Sequence, residues 1–171
     1  MYERLLAAGA PLGLRHAGLK TLASCRLEKG YRDYGHDIDN TDGPLEAGLG
    51  FAVDLKKPGG FVGKDAVVAR KAAGPLTRRL VSLRVLDPEP LLFHAEVVWR
   101  DDRAVGYVRA GSYGHTLGGA VGLAMVDAGG APVDAAYLTT GTWTIDIAGT
   151  RYPIAVSLRP PYDPDGARVK A

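Results

Sequence analysis

The run Gly74-Pro75-Leu76-Thr77-Arg78-Arg79-Leu80-Val81-Ser82-Leu83-Arg84-Val85 marks a change of period in this chain. Upstream of it apolar residues recur at helical spacing. From Arg79 to Val85 they alternate, as in a strand with one buried face. Gly74-Pro75 separates the two regimes, because proline fixes its own φ and disfavours helix in the residue before it. Working outward, Glu96–Trp99 and Ala104–Arg109 read as strands on either side of the tight turn Arg100-Asp101-Asp102-Arg103. Gly119–Val126 is a further apolar run, and Trp143–Ile147 and Tyr152–Leu158 surround Ala148-Gly149, a hairpin signal. Several short strands at close spacing predict a small antiparallel barrel or sandwich. The fold class is α+β, with residues 1–75 forming one segment and 76–171 the β domain.

Upstream of Gly74, Glu3–Ala8 predicts a short helix stopped by Gly9 and Pro11. Leu14, Ala17, Leu22 and Cys25 follow helical spacing, and Gly30 ends that run. This places Cys25 in the core and Arg26 about a third of a turn from the buried stripe, beside a cleft. Asn40-Thr41-Asp42-Gly43-Pro44 is a turn signal. Ala47–Leu55 predicts a strand, Lys64–Ala73 a helix, and the proline-rich tail from Pro160 to Gly166 an extended segment.

With 46% hydrophobic and 23% charged residues, the 171-residue chain has the composition of a soluble globular protein. A net charge of +2 gives no charge-based case for nucleic acid. A single cysteine excludes a disulfide framework, and no run approaches the ~18 apolar residues of a membrane span. The start, Met1-Tyr2-Glu3-Arg4-Leu5-Leu6, lacks the apolar core of a secretory signal. Together these point to the cytoplasm.

Four histidines and one cysteine give no ligand spacing for a metal; His36, Asp37 and Asp39 read as a polar loop. Gly111-Ser112-Tyr113-Gly114-His115-Thr116 lacks the Lys-Ser/Thr ending of a phosphate loop and reads as glycines at a barrel corner. No dinucleotide fingerprint or nucleophile elbow is present. What remains is the segment from Arg26 to Glu46. Arg26 offers a planar fork for a carboxylate, and Tyr31 and Tyr34 offer flat faces with polar tips. Glu28, Asp37 and Glu46 can accept hydrogen bonds from ring nitrogens. The residues alone leave two readings open: a surface for a polar ligand or partner, or an ordinary helix–loop–strand connection.

Gly13-Leu14-Arg15-His16-Ala17-Gly18-Leu19-Lys20-Thr21-Leu22 and Cys25-Arg26-Leu27-Glu28-Lys29-Gly30-Tyr31 resemble the glycine-cleavage T-protein (aminomethyltransferase) superfamily. The match continues through Tyr34-Gly35-His36-Asp37-Ile38, Pro44-Leu45-Glu46-Ala47-Gly48-Leu49-Gly50-Phe51 and Phe61-Val62-Gly63-Lys64. Gly106-Tyr107-Val108, the glycine-rich run from Gly111 to Gly118 and Pro161-Tyr162-Asp163-Pro164 resemble the superfamily's C-terminal barrel. In detail the pattern most resembles the folate-binding region of dimethylglycine and sarcosine dehydrogenases.

The resemblance implies two ferredoxin-like lobes followed by a β-barrel, with tetrahydrofolate in a central opening and one-carbon transfer from an amine to folate. By motif position Arg26 and Tyr34 resemble folate contacts, and Arg168 matches a C-terminal arginine that does likewise. The family's acidic catalytic residue lies well upstream of the Arg26 motif, so no catalytic residue is assigned here. FAD belongs to a preceding domain and is not expected on this chain. The leading expectation is therefore a partial tetrahydrofolate-binding module of a demethylating oxidoreductase, with a partial ferredoxin-like lobe, inactive without the N-terminal half; that half or a flavin-containing subunit is an expected partner. An incomplete lobe also implies exposed apolar surface and self-association. A noncatalytic interaction subunit is the alternative. A folate-binding tRNA-modification or iron-sulfur assembly factor is another, but Tyr31 and Gly35-His36-Asp37 stand where that group carries a Cys and Gly-Gln-Glu.

Overall fold

The computed structural model describes all residues, Met1–Ala171. Helices α1 (Tyr2–Gly9), α2 (Leu19–Glu28) and α3 (Lys64–Ala72) precede six strands: β1 (Arg78–Val85), β2 (Val97–Arg100), β3 (Arg103–Gly114), β4 (Gly119–Asp127), β5 (Trp143–Ile147) and β6 (Thr150–Ser157). A short helix α4 (Ala135–Thr139) lies between β4 and β5. The strands close into an antiparallel barrel in the order β1-β4-β3-β2-β5-β6, with β6 pairing back to β1. Closure leaves no unpaired sheet edge.

Both predicted hairpins form. Asp101 and Asp102 (φ 48° and 61°) join β2 to β3, and Ala148 and Gly149 (φ 51° and 83°) join β5 to β6. Two consecutive left-handed residues match the twist of the strands they connect.

The apolar run of β4 is buried on both faces, which is why it does not alternate. Ala124 and Val126 point into the barrel with Val81, Leu83, Val108 and Ile145. Val121, Leu123 and Met125 point outward, where Leu27, Ile38 and Ala47 cover them. A bulge between Val108 and Ala110 lets Val108 face inward and Ala110 face the outer cluster. The segment before β1 is thus laid against the outside of the barrel at β3 and β4.

Gly111 and Gly122 form a cross-strand pair in this wall. A Cβ on Gly111 would stand 2.6 Å from Leu92 Cγ, and one on Gly122 2.7 Å from the Ala110 carbonyl. The bare backbone seats Leu92, which is fully buried, and so straps the loop before β2 onto the barrel. These two glycines have packing roles.

Four readings of the sequence are corrected. Helix α2 starts at Leu19, and its buried face is Ser24, Leu27 and Glu28. Cys25 is exposed, as are Leu14, Ala17 and Leu22. The barrel offers hydrogen-bond partners at the β3–β4 turn, so the helix docks through a partly polar face. Ala47–Leu55 is not a strand: the amides of Ala47, Gly48 and Leu49 bond to carbonyls three to five residues back, and Gly50–Ala52 is a 3-10 turn. No neighbouring strand supplies the ladder that an apolar run alone cannot replace. The tail is not extended, because Asp163 (φ 44°) accepts from the amide of Ala167 and folds it into a turn.

Candidate functional site

The loop after α2 is built around one carboxylate. The Asp37 side chain is 0% exposed and pairs with both Nη atoms of Arg26, Nη2 lying 3.1 Å from Oδ1. Asp37 also accepts from the Asp33 amide at 3.0 Å, and its Oδ1 is 2.8 Å from His36 Nδ1. Burial on its own would raise the pKa of this carboxyl. The hydrogen bonds from Arg26, His36 and the Asp33 amide, with the charge of Arg26, outweigh burial and hold it below its ordinary value. Arg26 also donates to the Tyr31 carbonyl at 3.1 Å, closing the loop onto the helix end. Arg32 donates to the carbonyls of Gly30 and Ala47, and burial pushes its pKa down against the attraction of Asp37.

Two aromatic faces are presented on this frame. Tyr31 is 54% and Tyr34 72% exposed. Tyr34 is held only through its backbone, by a bridge to Ile38. Exposed rings on a loop fixed by a buried ion pair can stack against a flat partner. His36 is exposed, and its ring stands 5.9 Å from that of His94 in an edge-on arrangement, so the loop before β2 borders the same surface.

The tail reaches α2 from the other end of the sequence. Lys29 Nζ donates to the Asp163 carboxylate and carbonyl at 2.9 and 2.7 Å, and the Tyr162 amide to the Glu28 carbonyl. Hydrogen bonds led by Lys29 hold the Asp163 carboxyl below its ordinary pKa. Arg168 follows this anchor, its backbone amide bonded to Asp163 and its guanidinium 5.8 Å from the Tyr162 ring centroid.

Among the candidates from the sequence, Tyr34 and Arg168 are exposed, whereas the fork of Arg26 is taken by Asp37. Glu28 is buried and accepts from the Thr116 amide and hydroxyl and the Leu117 amide, capping the β3–β4 turn. Glu46 is buried against Arg70. Sequence spacing could not show that Asp37 would claim Arg26, since the pair spans a turn between residues eleven apart. No group of three or more His, Cys, Asp or Glu side chains is arranged to hold a metal ion, and no helix is long and apolar enough to cross a membrane.

The family model described as the glycine cleavage T-protein C-terminal barrel domain matches residues 78–163, a span that begins with β1 and takes in the whole barrel. The chain belongs to the glycine cleavage T-protein family. The family's GCVT N-terminal domain model matches residues 1–57. Family members with similar sequence include 4-methylaminobutanoate oxidase (formaldehyde-forming) of Paenarthrobacter nicotinovorans, 43% identical over 98% of this chain and 19% of its own length. Human mitochondrial sarcosine dehydrogenase is 37% identical over 99% of this chain and 18% of its own. An aminomethyltransferase of Clostridium botulinum (strain Okra) is 38% identical over 74% of this chain and 34% of its own. The T-protein barrel is also found in the crystal structure of glycine cleavage system aminomethyltransferase T from Bartonella henselae. That structure matches with a TM-score of 0.76 at 23% identity, over 95% of this chain and 43% of the other. The chain thus spans about a fifth to a third of the length of the curated relatives it matches.

Proposed function

We propose that these 171 residues form one wall of a tetrahydrofolate site serving one-carbon transfer from a methylated amine, within a demethylating oxidoreductase. The observation that carries this reading is the presentation of Tyr31 and Tyr34 by the Arg26–Asp37 frame. It stands in a chain matched along almost its whole length by an oxidase whose name describes formaldehyde formation. Tyr34 supplies a flat face for a heteroaromatic ring, and the guanidinium of Arg168 a partner for a carboxylate tail. Arg26 acts at one remove, by holding Asp37 and through it the loop. When bound, the folate accepts the one-carbon unit. The proton-handling acid and any flavin are supplied by residues other than those of this surface. In this reading residues 1–75 carry the ligand surface and 76–171 the barrel that supports it.

A surface with one wall buries less of a ligand and binds it weakly. Titration calorimetry with tetrahydrofolate is the test. Weak saturable binding is expected, reduced about three- to tenfold by Tyr34→Ala through the lost ring contact. Saturable binding indifferent to Tyr34→Ala, Arg168→Ala and Arg26→Ala alike overturns the assignment. It would favour the interaction-subunit reading, in which the exposed Leu5, Leu12, Leu14 and Leu19 meet a partner or a second copy.

A further inference from the structure

A cleft of about 510 Å³ lies between α3, the turns at residues 45–55 and the link into β1. Three cations line it, Arg70, Lys71 and Arg79, and no acidic residue does. Its apolar wall includes Leu45, Phe51, Val53, Leu55 and Val67. Val67, Arg70 and Lys71 are three and four residues apart on α3, so helical geometry puts them on one side. We infer that this cleft binds a small amphipathic acid, a single carboxylate on an apolar body, with the carboxylate at Arg79 and Lys71 and the body against Phe51 and Val67.

Charge and hydrogen bonding both support one anion. Arg70 is engaged by Glu46, and Asp134 acts on Arg79 from a carboxylate already occupied in capping α4. Lys71 has no ion-pair partner. One positive charge in three is therefore uncompensated. Arg79 makes a single long bond, 3.4 Å to the Val133 carbonyl, and its buried Nε has no partner. Burial pushes the Arg79 pKa down, the sign of a guanidinium partly stripped of water without full repayment. The volume falls in the range of small-molecule sites, and apolar lining with a few convergent charges is their usual make-up. The acid is a free molecule, separate from the folate whose carboxylate tail Arg168 meets in the proposed function.

Octanoate is the probe, titrated calorimetrically into the 171-residue chain with octanol as the uncharged control. Saturable binding below about 10 mM is expected for a ligand of this size. Octanol and the Arg79→Gln variant should each lose about tenfold, the weight of one charge-assisted hydrogen bond. Lys71→Gln, at an exposed residue with no ion-pair partner, should lose about threefold, and Arg79→Lys should restore most of the binding. Leu12→Ser, in the exposed 3-10 turn after α1, should change nothing. Tetrahydrofolate and octanoate should bind together, and competition between them would overturn the inference. Octanol binding as well as octanoate, or loss with Leu12→Ser in place of Arg79→Gln and Lys71→Gln, overturns the inference. So does the absence of saturable binding.

Discussion

Arg26 and Asp37 face each other edge to edge, both guanidinium Nη atoms on the two oxygens of a carboxylate with no exposed surface. Removing one partner leaves a buried charge unpaired, which costs about 3–5 kcal/mol. Asp37→Ala is expected to fall in that range by urea unfolding. Arg26→Ala should cost less, because Asp37 keeps His36 and the Asp33 amide as partners. The double variant should be more stable than the sum of the two losses implies.

The same carboxylate sets a pH dependence. Its pKa is held below the ordinary 3.8 in the folded chain, so its contribution is complete above that value. It is lost as pH falls through the folded pKa. Urea midpoints from pH 6 to pH 2.5 should show a steep acid limb below about pH 4. Asp37→Asn, less stable at neutral pH, should have a visibly shallower limb.

Glu28 ties α2 to the β3–β4 turn through the Thr116 amide and hydroxyl and the Leu117 amide. Charged acceptors of this kind contribute about 1.5–3 kcal/mol per bond lost. Glu28→Ala should destabilise by at least about 2 kcal/mol, and hydrogen exchange should quicken at Thr116 and Leu117 before the barrel strands open. Unchanged protection at those two amides would contradict the capping role.

Gly111→Ala should cost about 1–3 kcal/mol, because its Cβ would lie 2.7 Å from the Leu92 backbone as well as against its side chain. Trimming the side chain by Leu92→Ala should recover only part of that loss, since the backbone clash remains. Thermal unfolding of the single and double variants checks this.

How far the sequence reveals this molecule depends on where its order comes from. Trp143–Ile147 has the period of a strand and is one, because alternation and burial on a barrel wall are the same fact seen twice. Ala47–Leu55 is apolar as well and winds into turns, since a strand needs a neighbour and composition does not supply one. Cys25 and Leu22 read as core because their spacing is helical, yet α2 docks through Ser24 and Glu28, whose partners are almost ninety residues away. Tyr34 was legible as a flat exposed group. The occupation of Arg26 by Asp37 was not, because sequence lists chemical groups without saying which pairs meet. The Phe51–Arg79 cleft was invisible for the same reason.

In the proposed function, the loop framed by Arg26 and Asp37 presents Tyr31 and Tyr34 to a folate. The most direct test is an amide chemical-shift titration of the ¹⁵N-labelled chain with 5-formyltetrahydrofolate, a form resistant to oxidation. Saturable shifts concentrated at Tyr31, Tyr34, His36 and Arg168 are expected, and their loss in Asp37→Asn, where the frame is loosened. Shifts confined to other surfaces, or no shifts at millimolar ligand, would contradict it.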